Sequence, residues 1–438
     1  MRPENADLRR ALILAAPAGV VLRRATVPAC LVDSDPGADG LREVDIGLAD
    51  GRIAAVTAAE AGAPGIDLEG RMVWPCPVDL HTHLDKGHIW PRAANPDGTF
   101  AGALAAVERD RTRHWHAADV KARFEFGLRC AYAHGTRAIR THLDSIPPQA
   151  PVSWAVFAEL RAAWAGRIDL QAVSLAMLEH YRGAAGAELA RLVAGHGGVL
   201  GLVPQMGPDL AAELDRFLGL AATYGLDVDC HVDETLDAAA ETLLALADAA
   251  VRCRFPGRIV AGHCCSLAHQ TPDAIRRTLD RVAEAGIAIV SLPMCNLYLQ
   301  DRVDGRTPRH RGVTLAHEIR ARGIDLAFAS DNCRDPFYAY GDHDMLEVFR
   351  EAVRIAHLDH PFGTWPAAVT TVPAAVMELE AAGRLATGAM ADLIILEGRD
   401  WSEVLSRPQT ARIVLRAGQV IDTTPPDYRE LDFLRRAG

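Results

Sequence analysis

The chain has 438 residues, of which 49% are hydrophobic and 24% charged. That length accommodates a large enzyme domain with a smaller one attached, and that composition excludes a disordered chain. A formal net charge of −11 leaves little basic surface to neutralise phosphates, which argues against nucleic acid as a partner.

Near the start, Ala11 to Val21 is apolar and contains Ala16-Pro17-Ala18, which looks like a leader-cleavage site. Glu4 and Asp7 stand among the arginines before it, so a secreted chain is not expected. No apolar run reaches the ~18 residues of a membrane helix, so no membrane partner is expected. The first 75 residues read as short strands, Val20–Ala25 and Val44–Leu48, then a turn at Ala49–Arg52 and a further strand at Ile53–Val56. The Asp50-Gly51 pair in that turn is a hairpin signal.

The middle of the chain behaves differently. Eight apolar runs follow: Met72–His83, Arg137–Asp144, Ile168–Ala176, Gly198–Met206, Leu226–Glu234, Arg258–Cys265, Ile287–Met294 and Ile324–Asn332. Helical stretches lie after them at Leu104–His134, Trp154–Gly166, Ala184–Ala194, Leu210–Tyr224, Leu236–Arg252, Pro272–Ala285, Val313–Arg322 and Met345–Leu358. Strand-helix alternation with apolar strands predicts an α/β protein, a (β/α)8 TIM-type barrel of buried parallel strands. A doubly wound open sheet explains the alternation but not the polar residues that close so many runs. The far end returns to strands at Ala391–Leu396 and Arg412–Arg416, with a turn at Ala417-Gly418 before Gln419–Ile421. The two ends are expected to pair into a small β-sandwich, residues 1–75 with 387–438, attached to a catalytic barrel of residues 76–386.

What closes each run carries the functional reading. Run one ends in His81-Thr82-His83 and run two in Thr141-His142-Leu143-Asp144. Run four ends near Gln205, run five in His231 and Glu234, run six in His263, and run eight in Ser330-Asp331-Asn332. In a barrel those ends converge on one face, where active sites are built. His81 and His83, two apart on a strand, share a face while Thr82 points away. With His231 and Asp331 they form a nitrogen-and-oxygen set that suits one divalent ion, zinc or ferrous iron. Such an ion lowers the pKa of a bound water towards ~7. A two-metal site of this kind often uses a carbamylated lysine at the end of strand four. Run four ends Leu202-Val203-Pro204-Gln205-Met206, and Lys86 stands after strand one, so a single metal is expected.

Glu234, three residues beyond His231, is placed to shuttle a proton to a leaving group or ring nitrogen. Its plain alternative is a first-turn acid of the helix expected from Leu236. His263 is read either as a partner of the attacking water or as a fourth ligand. Asp331 is read as both ligand and base, with His142 and Asp144 orienting the ligands. Cys264 and Cys265 read as packing residues. All nine cysteines lack paired spacing, which fits free thiols in a reducing, cytoplasmic compartment.

The segments Leu80-His81-Thr82-His83-Leu84-Asp85-Lys86, His231-Val232-Asp233-Glu234, Gly262-His263, Asn296-Leu297-Tyr298-Leu299-Gln300-Asp301-Arg302, Arg311-Gly312-Val313-Thr314, Ser330-Asp331-Asn332 and Asp335-Pro336-Phe337-Tyr338, with Gly388–Leu393 near the end, resemble the cytosine deaminase branch of the amidohydrolase superfamily. The His-Leu-Asp-Lys segment is also similar to isopropylammelide amidohydrolases. The resemblance implies a mononuclear iron or zinc enzyme that removes an exocyclic amine from a nitrogen heterocycle as ammonia. It implies His81, His83, His231 and Asp331 as metal ligands, Glu234 as the proton donor to the ring, and His263 as the group that positions water. Two positions depart from that pattern. Met177 stands where the cytosine deaminases carry a glutamine that reads the pyrimidine edge, and Phe337 where they carry a tryptophan. Met177, Gln205, Asn332 and Phe337 are therefore taken as substrate-binding residues.

The expected partner is a small heterocycle, a cytosine-like pyrimidine first, acted on by a homo-oligomer. The alternative is hydrolysis of a substituted amine of triazine type or of a cyclic amide. Polar residues at six of eight strand ends argue against a non-catalytic binding protein.

Overall fold

The structure is a computed structural model that describes residues 3–15, 19–32, 40–379 and 382–436. Ala16-Pro17-Ala18 lies outside them. The residues before it, Pro3–Ala15, form a helix that docks on the C-terminal strands. Leu12 is buried, Asn5 Nδ2 donates to Glu397 Oε1 at 2.8 Å, and Arg9 donates to the Ile421 carbonyl at 2.8 Å.

All eight apolar runs contain a strand: β1 (Val78–Thr82), β2 (Ala138–Asp144), β3 (Asp169–Leu175), β4 (Leu200–Leu202), β5 (Val228–Val232), β6 (Ile259–His263), β7 (Ala288–Ser291) and β8 (Leu326–Phe328). They form two parallel sheets, β1-β2-β3 and β4-β5-β6-β7-β8, with neighbours in chain order. Parallel bridges Val173–Val199 and Met177–Val203 join β3 to β4, and Thr82–Asp331 joins β1 to the end of β8. Consecutive parallel strands need crossovers, and the helices between them supply these. The apolar side chains Val78, Leu80, Ala138, Val260, Val290 and Ala327 pack together with the helix Thr371–Val376, which the periodicity did not reveal.

Several helices match the expected ranges closely, and Pro272–Ala285 does so at both ends. Its limits are written in the sequence. Thr271 Oγ1 accepts from the Ala274 amide at 3.3 Å, Pro272 opens the first turn, and Gly286 closes the helix at φ +66°. Two expectations need correction. The single helix expected over Leu104–His134 is two, Phe100–His114 and Ala117–His134. His116 breaks it by taking an extended conformation and accepting the Asp119 amide at 3.3 Å. Arg92 then spans the break, bonding Asp110 Oδ1 at 2.7 Å and Asp119 Oδ1 at 2.6 Å. The helix expected from Leu236 starts at Thr242. The Asp233 carboxylate fixes that start, accepting from the Thr242 amide at 3.0 Å and the Leu243 amide at 3.0 Å.

The chain ends build two antiparallel-rich sheets. Strands Val20–Pro28, Leu41–Ala49 and Arg52–Ala58 form one with Ile66–Asp67; Val73–Pro75, Leu393–Ile395, Ile413–Arg416 and Gln419–Val420 form the other. Leu22, Val27, Ile46, Leu393, Ile395 and Leu415 share one apolar cluster, so both sheets face a common core. Among the described residues, no helix is long and apolar enough to cross a membrane. All nine cysteines are free.

Candidate active site

The C-terminal ends of β1, β5, β6 and β8 bring six of the expected residues together. His81 and His83 project from the end of β1, whose backbone is stitched to the end of β8. The Asp331 amide donates to the His81 carbonyl at 2.9 Å, and Thr82 Oγ1 donates to the Asp331 carbonyl at 2.7 Å. Asp79, lower on β1, accepts from the Ser330 amide at 3.1 Å and from its hydroxyl. These bonds hold Asp331 at φ +61°, a region that non-glycine residues seldom occupy. His263, at φ +69°, is held in the same way by the β5–β6 pairing and the turn that follows.

The donor atoms converge. Asp331 Oδ1 lies 3.3 Å from His83 Nε2 and 3.6 Å from His81 Nε2, and His83 Nε2 lies 3.3 Å from His231 Nε2. The His81 ring is 4.5 Å from the His231 ring and 5.4 Å from the His263 ring, centroid to centroid. Both His81 nitrogens and both Asp331 oxygens are buried without a hydrogen-bond partner. Buried polar atoms are normally satisfied, so a set of facing lone pairs of this kind fits a divalent cation. Burial holds the His81, His83 and His231 rings well below the ordinary imidazole value, which keeps them in the neutral, ligating form. Burial also pushes Asp331 up to about 7, and the Asp335 charge adds to this, more than the Cys295 thiol and the Lys86 ammonium offset.

Beside this cluster stands a hydrogen-bonded trio. Asn296 Nδ2 donates to Glu234 Oε1 at 3.1 Å and lies 3.0 Å from His263 Nδ1, and His263 Nδ1 is 3.4 Å from Glu234 Oε1. Burial, then the Asp331 charge, raises the Glu234 carboxyl well above its ordinary value. Because the neighbouring helix begins at Thr242 and is capped by Asp233, Glu234 is not its first-turn acid. Gly262 leaves room for the cluster: a Cβ there would sit 3.1 Å from His81 Cε1 and 3.2 Å from its Nδ1. Gly262→Ala is therefore expected to tilt the His81 ring and weaken metal binding by roughly 10- to 100-fold, the range for groups that orient ligands. Competition with a chromophoric chelator measures it.

The remaining expected residues fall into two groups. His142 does lie against the cluster, its ring 3.9 Å from that of His81. Asp144 does not orient a ligand. It pairs with Lys86 Nζ at 3.3 Å and Arg111 at 2.8 Å, because those two cations are the charges nearest its buried carboxylate. Asn332 donates to Asp335 Oδ2 at 2.7 Å, and Phe337 lies under Lys86, whose Nζ is 5.2 Å from the ring centroid. Met177 is half-buried at the β3–β4 bridge and Gln205 is exposed beyond β4. Among the described residues no hydrogen bond joins either to the histidine–aspartate cluster. Cys264 and Cys265 are fully buried, and burial raises both thiols, as suits packing residues.

Asn296 and Asp79 receive no role from the sequence, and Lys86 is weighed there only as a bridging lysine and set aside. Asn296 sits on the short helix Pro293–Leu299 just past β7, where strand-end reasoning does not reach. Lys86 did carry a signal: with Lys121 it is the only lysine in an arginine-rich chain. It is 4% exposed, and although burial alone would lower its ammonium, Asp144, Asp335 and Asp85 outweigh that and hold it above its ordinary value.

Comparison with known proteins places this geometry. Residues 203–422 match the model of the Amidohydrolase family. The chain is 56% identical over 418 residues to a pterin deaminase of Rhizobium rhizogenes, covering 94% of this chain and 96% of the relative. Among solved structures, 5-methylcytosine deaminase from Klebsiella pneumoniae liganded with 5-fluorocytosine superposes with a TM-score of 0.79 at 25% identity, over 92% of this chain and 97% of the other. N-isopropylammelide isopropylaminohydrolase from Burkholderia multivorans shares the fold, with a TM-score of 0.71 at 22% identity over 93% of this chain and 100% of the other. The chain belongs to the amidohydrolase family, and its relatives include hydrolytic deaminases of nitrogen heterocycles.

Proposed function

We propose that this protein is a mononuclear metal-dependent aminohydrolase that removes the 2-amino group of a pterin-type ring as ammonia. The observation that carries the reading is the pairing of two neighbouring sets: the His81, His83, His231 and Asp331 donors, and the Glu234–Asn296–His263 trio. The extensive identity to a protein named as a pterin deaminase supports a fused, two-ring substrate over the cytosine-like pyrimidine first expected. The same reading closes the eight strands into a barrel of residues 76–386. It makes residues 1–75 and 387–438 a β-sandwich, and the shared apolar core of the terminal sheets supports that.

In this reading His81, His83, His231 and Asp331 hold one zinc or ferrous ion, which supplies an activated water at neutral pH. The chain's own groups do the rest. Asn296 donating to His263 Nδ1 leaves the ring proton on Nε2, an atom that has no partner in the protein. His263 then serves as a donor towards the water or the developing oxyanion, in preference to a fourth metal ligand. Asp331 takes a proton from the water as it adds to the amine-bearing carbon. Glu234, kept protonated by burial, gives its proton to the adjacent ring nitrogen, takes the second proton from the hydroxyl now on the ring carbon, and passes it to the departing amine. Asp331, whose carboxylate stands within 4.8 Å of that of Glu234, then returns the first proton to Glu234, so both groups end as they began. Ammonia leaves and a carbonyl remains on the ring. Lys86, whose charge reaches Asp331, with Asn332 and Phe337, and Met177 and Gln205 beyond the ends of β3 and β4, are the proposed substrate contacts.

The test is a panel of ring amines with metal-replete protein, read by ammonia release. A pterin is expected to turn over at least ~100-fold more efficiently than cytosine, a margin of about 2.7 kcal/mol in transition-state binding. Equal or better turnover of cytosine, or an alkylamine released from an N-alkyl triazine as the best reaction, would remove the pterin assignment.

A further inference from the structure

Behind the site lies a second group of buried donors that the reaction does not use. His88 follows β1, and Cys333 and His343 follow β8; one ligand atom from each lies within 4.8 Å of the others. They are 1%, 2% and 2% exposed respectively. Both nitrogens of His88 and Nε2 of His343 have no hydrogen-bond partner. The two rings stand 5.7 Å apart at 60°, so neither satisfies the other by stacking. Buried imidazole nitrogens left bare cost free energy, and one cation can take one nitrogen from each ring together with the Cys333 sulfur.

The backbone is held for the purpose. His88 has φ +65° and His343 φ +56°, both in the left-handed region that non-glycine residues seldom occupy. The two segments already meet through the His88 amide, which donates to the Cys333 carbonyl at 2.9 Å, and the Trp90 amide, which donates to the Arg334 carbonyl at 2.8 Å. The adjacent carboxylate, Asp342, is committed elsewhere, to His134 Nε2 at 2.7 Å and the Tyr428 hydroxyl at 2.7 Å. A cavity of about 100 Å³, lined by His88, Arg334, Tyr428, Leu431 and Arg435, reaches His88 from the surface and has room for water.

We propose that His88, Cys333 and His343 bind a second divalent metal ion, of the zinc class, which pins the segment after β1 to the segment after β8. Two imidazoles and a sulfur form the mixed, partly soft set that zinc and cobalt(II) accept in tetrahedral geometry, and the cavity supplies a water as fourth ligand. This ion shares no ligand with the first. It acts on the first through Thr82, whose hydroxyl lies 3.4 Å from His343 Nδ1 and donates to the Asp331 carbonyl. Fixing His343 fixes the junction of β1 and β8 from which His81, His83 and Asp331 project.

The test loads the full-length protein with cobalt(II), removes unbound ion, and records both metal content and the near-ultraviolet spectrum. Two ions per chain with a thiolate-to-cobalt charge-transfer band are expected, because sulfur is a ligand only at the second site. Cys333→Ser is expected to lose the band and one ion. His88→Gln, on the other segment, is expected to lose one ion as well, so the result does not depend on either variant folding alone. One ion with the band supports this site and counts against the proposed catalytic one. No band in the native chain, or a band that persists in Cys333→Ser, overturns the proposal.

Discussion

Asp331→Asn is expected to reduce pterin deamination by more than ~10³-fold, with bound metal lost in parallel. Several kcal/mol of transition-state stabilisation rest on a bound ion, and each ~1.36 kcal/mol is a factor of ten in rate. Asparagine is the informative replacement. It keeps the side-chain shape, and it tolerates the left-handed backbone at φ +61° better than alanine does. The bonds that hold this residue, its amide to the His81 carbonyl and Thr82 Oγ1 to its own carbonyl, involve only the backbone of Asp331 and survive the change. A loss of activity and metal with an unchanged melting transition of the metal-free protein therefore assigns the effect to the carboxylate. Retained metal and near-normal turnover would show that Asp331 is neither ligand nor base.

Glu234→Gln separates proton transfer from metal binding. The amide side chain keeps an oxygen for the Asn296 contact at 3.1 Å but has no proton to give. A positioned acid-base group contributes about 10²–10⁴-fold, so kcat is expected to fall in that range while metal content stays at the native level and KM changes little. A fall in metal content would make Glu234 a ligand. A fall confined to KM would make it a substrate contact without a proton-transfer role.

The strand positions were legible because β1 to β8 are mostly buried and rich in apolar residues, with histidines and acids gathered towards their ends. His81, His83, His231, His263 and Asp331 are among these, and they meet in the structure. Elements whose limits depend on tertiary contacts were not legible. The break at His116 is sealed by Arg92 from another segment, and the delayed helix start at Thr242 is set by Asp233 nine residues earlier. Asn296 was missed for the same reason, since its helix brings it to Glu234 across 62 residues of sequence. Asp144 was misassigned because strand-end position gives direction but not charge environment. Its partners, Lys86 and Arg111, come from segments that the run pattern does not relate to it. The helix Pro3–Ala15 escaped because its apolar residues adjoin the next apolar stretch and blur the 3.6-residue period.

Hydrolysis of a pterin in ¹⁸O-labelled water, followed by mass spectrometry of the ring product, tests the central claim most directly. One labelled oxygen in place of the 2-amino group, with one equivalent of ammonia formed and both abolished by metal removal, is the predicted result. Unchanged pterin, or label appearing in a ring-opened acid, would contradict it.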